Sequence, residues 1–172
     1  IKLIEEQFKG KEKLIAPNIR ALEIGFEYAK ENLEDACDIR VKKSNKTDGL
    51  ILTSGNDAAG LGSVYGGATV CAWYPITPST SMAESFTNYC EDLRIDPETG
   101  KNNFAIIQAE DELAAVGMAI GANWNGARAF TATSGPGISL MGEFIGLAYF
   151  SEVPLVIFNI QRGGPSTGMP TR

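Results

Sequence analysis

The chain has 172 residues, 44% of them apolar, and a formal net charge of −6. This length suits one domain with a short appendage, and the apolar share is enough for a sizeable core. The acidic balance argues against a nucleic-acid partner, because phosphate recognition calls for a basic face.

The most apolar stretches, 127–130 and 154–158, are too short to span a bilayer, so no membrane partner is expected. Three cysteines, Cys37, Cys71 and Cys90, lie too far apart for a zinc or iron–sulfur ligand cluster. An odd count without a framework fits a reducing cytoplasm. The chain starts at Ile1 within a charged helical pattern and stops at Arg172 within a Gly/Pro loop, so both ends read as cut and a fragment is expected.

Residues 1–49 form a first block. From Pro17, which suits the first turn of a helix, Ile19, Leu22, Ile24, Phe26, Ala29 and Leu33 recur at roughly helical spacing. The polar, basic run 40–49 reads as a linker. From Leu50, apolar runs alternate with Gly/Ser/Pro turns. A helix is expected over 56–67 and a strand over 70–74. Ser81 to Glu84 has capping-box spacing and opens a helix to about Leu93. A strand over 104–108 precedes a helix over 110–124. A strand over 128–132 precedes a helix over 138–149, and a last strand covers 154–159. Short apolar strands alternating with helices predict an α/β fold: a parallel sheet flanked by helices on both faces. Ligands of such sheets sit at the carboxyl ends of the strands, where every unusual motif of this chain falls.

With no histidine, Ser-His-Asp and Cys-His nucleophile systems are excluded, as is any His-based metal site. The run Gly60-Leu61-Gly62 followed by Gly66 misses the dinucleotide spacing by one residue, and no phosphate-loop lysine pattern exists. The acidic run Glu110-Asp111-Glu112 at a helix start is, taken alone, best read as a complement to the helix dipole. The Ala and Gly positions after it shift that balance, because a small-residue face lets a backbone or a flat ring approach closely. Thr133-Ser134-Gly135-Pro136-Gly137 is a strand-to-helix turn in which Ser134 or Thr133 would cap the next helix. Two prolines around Thr77 make a rigid loop after a strand. Arg162, at another strand end, is a natural carboxylate binder.

Four phrases in fixed order carry a more specific signal: YPITPSTS at Tyr74–Ser81, EDELAA at Glu110–Ala115, TSGPG at Thr133–Gly137 and QRGGPSTGMPT at Gln161–Thr171. With these, the chain from about Ser54 resembles the pyrimidine-binding domain of the alpha subunit of 2-oxoacid:ferredoxin oxidoreductases. Residues 1–49 resemble, more loosely, the tail of the family's gamma domain, with 50–172 as the pyrimidine domain.

The resemblance implies a thiamine-diphosphate-binding fold and oxidative decarboxylation of a 2-oxoacid to acyl-coenzyme A and carbon dioxide, with electrons passing to ferredoxin. It implies a beta subunit holding the diphosphate and magnesium and bearing a [4Fe-4S] cluster, within an oligomeric enzyme, and a fragment that is inactive alone. It makes Glu112, followed by Gly121 at the family's spacing, the carboxylate that grips the aminopyrimidine. Pro75, Ser134 and Gly135 become further cofactor contacts, and Thr77 and Arg162 substrate contacts, with no metal ligand on this chain. An apolar, small-residue face on helix 112–124, together with helix 138–150, is expected to meet the partner. Rival readings are a non-oxidative thiamine-diphosphate decarboxylase or synthase, whose chains lack YPITPSTS and QRGGPSTG, and a non-catalytic assembly module. A dinucleotide-binding dehydrogenase is weak for want of the glycine fingerprint.

Overall fold

A computed structural model describes residues 1–34, 39–42, 44 and 46–161. Cys37 and Arg162 fall outside these described residues. The chain divides into two compact units, 1–50 and 51–172.

In the first unit, α1 (Lys2–Gln7) and α2 (Glu12–Asn32) bury no residue. Helix α2 begins five residues before Pro17, which lies inside it rather than in its first turn. The ring removes one i→i−4 hydrogen bond there, and on a helix with no buried face the freed carbonyl is open to water.

The second unit is a four-stranded sheet with strand order β2-β1-β3-β4: β1 (Val70–Trp73), β2 (Ala105–Gln108), β3 (Ala129–Thr133) and β4 (Val156–Asn159). Every pairing is parallel. The register sets Trp73 opposite Gln108 and Thr133 opposite Asn159. Strand β3, flanked on both sides, is buried at all five positions, as a strand covered on two faces must be.

Side chains alternate between the faces. On one face Cys71, Phe130 and Ala132 pack against α3 (Gly55–Tyr65) and α4 (Thr80–Leu93). Phe86, Phe130 and Phe158 meet edge to face there, with ring centroids 4.9 and 5.4 Å apart. Burial pushes the Cys71 thiol up to about 12, so it stays a neutral core group at physiological pH. On the other face lie α5 (Glu112–Trp124), α6 (Gly135–Leu140) and α7 (Gly142–Phe150). The α/β parallel sheet with helices on both faces is therefore the observed fold.

Two further local expectations are corrected. Ser81 does not open a capping box: α4 starts at Thr80, and the Ser81 hydroxyl is turned back to Pro78 O at 3.3 Å. The capping box is at α3, between Ser54 and Asp57. The helix expected over 138–149 is two helices. The first starts at Gly135, with Pro136 in its first turn, and the break falls at Met141, a fully buried residue whose ψ of −4° ends regular α geometry.

Helices α3 and α4 touch closely because Gly60 lacks a side chain: a Cβ there would lie 2.8 Å from Phe86 N and 3.1 Å from Ser85 C. These are backbone atoms that cannot turn aside. Gly60→Ala is expected to destabilise by about 1–3 kcal/mol. Gly62→Ala, on the same helix with nothing within 4 Å, is expected to stabilise by roughly 0.5–1 kcal/mol through helix propensity. Chemical denaturation of the two variants checks the opposite signs.

Candidate functional site

The first strand is internal to the sheet, so the chain reverses direction around it. From β1 the chain crosses by α4 to β2 on one side, and from β2 it returns by α5 to β3 on the other. The loop after β1 leaves toward one face and the turn after β3 toward the other. Where two such connections part at the carboxyl edge, open parallel sheets form the crevice in which they bind ligands.

One wall is the loop 74–79. Ile76 O accepts hydrogen bonds from Ser79 N at 2.8 Å, Ser79 Oγ at 2.9 Å and Thr80 N at 3.2 Å. This closes a tight turn into α4, and the Thr77–Pro78 peptide within it is cis. Pro75 and Thr77 are exposed, and Ser79 is buried beneath them.

The opposite wall is built from the first turns of α5 and α6. After β2, Ala109 N donates to Trp73 O at 2.8 Å, which extends the ladder one residue and delivers the acidic run to the edge. The three acids then part. Glu110 is exposed. Asp111 is the N-cap and accepts from Ala114 N at 2.6 Å. Glu112 is only 8% exposed, and its carboxylate engages no hydrogen bond or ion pair among the described residues. Across from it, a Cβ on Gly137 would fall 2.9 Å from Glu112 Cγ and 2.0 Å from Thr133 Oγ1. The two helix starts thus converge on a position that only glycine fits.

Ser134 occupies the N-cap position of α6, but its hydroxyl makes no capping bond, nor does Thr133 supply one. This corrects the expectation that either residue caps the helix. Thr131 Oγ1, Thr133 Oγ1 and Ser134 Oγ are all buried without a partner among the described residues. A buried polar atom left unpaired costs about 1–3 kcal/mol, so this wall has unspent hydrogen-bonding capacity. A planar heterocycle with ring nitrogens and an amino group matches a buried carboxylate beside free hydroxyls and a glycine cradle, and the residues present therefore fit an aminopyrimidine. Thr133 and Gly137 belong to this wall although the sequence offered Thr133 only as a helix cap and Gly137 only as part of the TSGPG phrase.

The small residues of α5 are divided: Gly121 is exposed and Ala114 and Ala122 are half-buried, while others face inward. Ala115 and Ala119 are fully buried where α5 lies over β1 and β3, and Gly117 abuts the Phe144 ring, 3.2 Å from a Cβ position. Exposure falls also on Leu113, Met118 and Trp124, and on Leu147, Tyr149 and Phe150 of α7. An open apolar groove of about 930 Å³, lined by Ile145, Tyr149, Val153 and Leu155 among others, lies at the amino end of β4, away from the crevice. Among the described residues, no helix is long and apolar enough to cross a membrane.

With the geometry in hand, relatives can be placed. The family described as pyruvate flavodoxin/ferredoxin oxidoreductase, thiamine diphosphate-binding, matches residues 62–172. A 2-oxoacid:ferredoxin oxidoreductase alpha subunit from Aeropyrum pernix is 40% identical over 99% of this chain and 27% of its own length. A 2-oxoglutarate synthase subunit KorA from Methanothermobacter thermautotrophicus is 50% identical over 68% of this chain and 29% of its own. Among solved structures, a 2-oxoglutarate:ferredoxin oxidoreductase from Magnetococcus marinus, with 2-oxoglutarate, coenzyme A and succinyl-coenzyme A bound, matches with a TM-score of 0.72 at 38% identity. That match covers 99% of this chain and 28% of the other. The chain spans about a quarter of the length of the relatives it matches. A parallel sheet that switches direction between β1 and β3, a family match over 62–172 and these relatives together show that the chain belongs to the pyruvate flavodoxin/ferredoxin oxidoreductase, thiamine-diphosphate-binding family.

Proposed function

We propose that this chain supplies the pyrimidine side of the active site in a 2-oxoacid:ferredoxin oxidoreductase. That enzyme oxidatively decarboxylates a 2-oxoacid to acyl-coenzyme A and passes the electrons to ferredoxin. The observation that carries this reading is Glu112: a buried residue whose carboxylate has no partner among the described residues, with its Cγ and Thr133 Oγ1 both packed against Gly137.

Thiamine diphosphate, when bound, supplies a nucleophilic carbon and an electron sink for decarboxylation. Glu112 would hold a proton between its carboxylate and the ring nitrogen of the aminopyrimidine. Burial strengthens that bond by keeping water from competing for it. Ser134 and Gly135 would line the cofactor's ring, and Pro75 would meet it from the loop after β1. Thr77 would offer its hydroxyl to the substrate. Arg162, which lies beyond the described residues, would pair with the 2-oxoacid carboxylate through two parallel hydrogen bonds. A beta subunit would hold the diphosphate with magnesium and carry the [4Fe-4S] cluster, in a cytoplasmic oligomer. Among the described residues of this chain, no group of three or more acidic or cysteine side chains is placed to hold a metal. Residues 1–49 would be the tail of a preceding gamma-like domain and its linker. In support, the Aeropyrum relative matches across 99% of the chain.

Two substitutions in the assembled enzyme test these roles. Glu112→Gln keeps the shape but loses the proton site. Turnover is expected to fall at least about 100-fold, the usual scale of general acid–base catalysis, with the Michaelis constant for the 2-oxoacid unchanged. Normal turnover would favour a non-catalytic assembly module. Arg162→Lys loses the bidentate geometry, and the Michaelis constant is expected to rise by one to two decades, from the loss of about 1.5–3 kcal/mol. A lowered melting temperature beside an unchanged Michaelis constant would make Arg162 a loop tether instead.

A further inference from the structure

The loop that carries Thr77 is held by a residue that lies before β1 in sequence. Asn56, in the first turn of α3, donates from Nδ2 to Pro78 O at 2.9 Å and to Ser81 Oγ at 2.7 Å. An amide nitrogen has two hydrogens, so both bonds can form at once. Ser81 Oγ in turn donates to the same Pro78 carbonyl. The three groups make a closed hydrogen-bonded triangle on the far side of the turn from Ile76 O.

Asn56 is a firm anchor because its own helix start is fixed. Ser54 and Asp57 close the capping box beneath it. Asp57 also accepts a hydrogen bond from Ser85 on α4, and this bond, with those from Ser54, holds the Asp57 carboxyl below the usual carboxylate range. Gly60 then brings α3 against the α4 backbone. Thr77 itself has nothing of this kind. It is exposed, and its side chain makes no hydrogen bond among the described residues. The direction of its hydroxyl therefore depends on the backbone on either side, closed at Ile76 O by Ser79 and Thr80 and at Pro78 O by Asn56.

We infer that Asn56 is a positioning residue: through Pro78 O it fixes the turn that presents the Thr77 hydroxyl to the 2-oxoacid. This rests on the reading of Thr77 as a substrate contact. Without the amide, Pro78 O keeps only the weaker bond from Ser81, and the turn can shift while the core beneath it stays packed. The effect should fall on substrate rather than cofactor: Asn56 bonds the turn at Pro78 O, beyond Thr77, whereas the loop's cofactor contact, Pro75, precedes Ile76 O, which Ser79 and Thr80 still hold, and Glu112 stands on the opposite wall.

The test uses the assembled enzyme with Asn56→Ala, Asn56→Asp, Thr77→Val and the double variant Asn56→Ala/Thr77→Val. Each is assayed for the Michaelis constant for the 2-oxoacid, thiamine diphosphate affinity and melting temperature. Asn56→Asp keeps the side-chain shape but cannot donate, so it carries the test if the alanine variant fails to assemble. Both Asn56 variants are expected to raise the Michaelis constant about tenfold, the scale of one lost hydrogen bond, with cofactor affinity unchanged. The double variant is expected to be no worse than Thr77→Val alone, as for two residues acting through one contact. A raised Michaelis constant in Thr77→Val beside wild-type values in the Asn56 variants overturns the role of Asn56 alone. A wild-type value in Thr77→Val overturns the substrate role of Thr77, and the positioning role falls with it. Additive effects in the double variant also overturn the inference, because Asn56 would then act by another route.

Discussion

The first turns of α5 and α6 approach each other closely enough that Gly137 has no room for a side chain, and the site depends on that approach. A Cβ on Gly137 would overlap Thr133 Oγ1 and press on Glu112 Cγ. Any larger residue would therefore force apart the β3–α6 turn and the start of α5. The same closeness buries Glu112 without enclosing it in protein donors. Asp111 takes the capping role, which leaves the next carboxylate free of that duty. One glycine and one N-cap thus turn an ordinary acidic helix start into one whose second carboxylate has no partner among the described residues.

The two walls of the crevice are built on opposite principles. The loop after β1 spends its hydrogen-bonding capacity on itself: Ile76 O and Pro78 O are each bonded more than once, and Asn56 reaches across from another helix to take part. The wall formed by β3 and α6 leaves the buried hydroxyls of Thr131, Thr133 and Ser134 without a partner among the described residues. Native interiors carry few such groups, and those they carry are concentrated where a ligand or catalytic role offsets the cost. A rigid loop suits a contact that must aim one hydroxyl. Unpaired groups suit a surface that gains its partners when a ring is bound.

Much of the fold was legible because burial on both faces writes short apolar runs into the sequence. All four strands fall within two residues of their expected bounds. Helix starts were harder. Ser81 to Glu84 has capping-box spacing, yet Ser81 is drawn away by Pro78 O, three residues earlier, and by Asn56, which is distant in sequence. Pro17 read as a helix start and lies in a helix interior, since an exposed helix can leave one carbonyl to water. At the site, Glu112 was separable from Glu110 and Asp111 only by its spacing to Gly121; in space the separation is one of burial. Gly137 was hidden because a glycine in a turn phrase looks like a turn residue, and the Glu112 contact that requires it comes from another strand end. Asn56 was invisible for the same reason, because a lone asparagine in a Gly- and Ala-rich helix acquires meaning only from the loop it meets.

The most direct measurement is a structure of the assembled enzyme with thiamine diphosphate bound. A carboxylate oxygen of Glu112 should lie at about 2.7–3.2 Å from a ring nitrogen of the aminopyrimidine, within ordinary hydrogen-bond range, with the ring between the loop 74–79 and the Thr133–Gly137 turn. An aminopyrimidine seated elsewhere, or a Glu112 carboxylate turned to a protein donor while the ring is bound by other groups, would contradict the account.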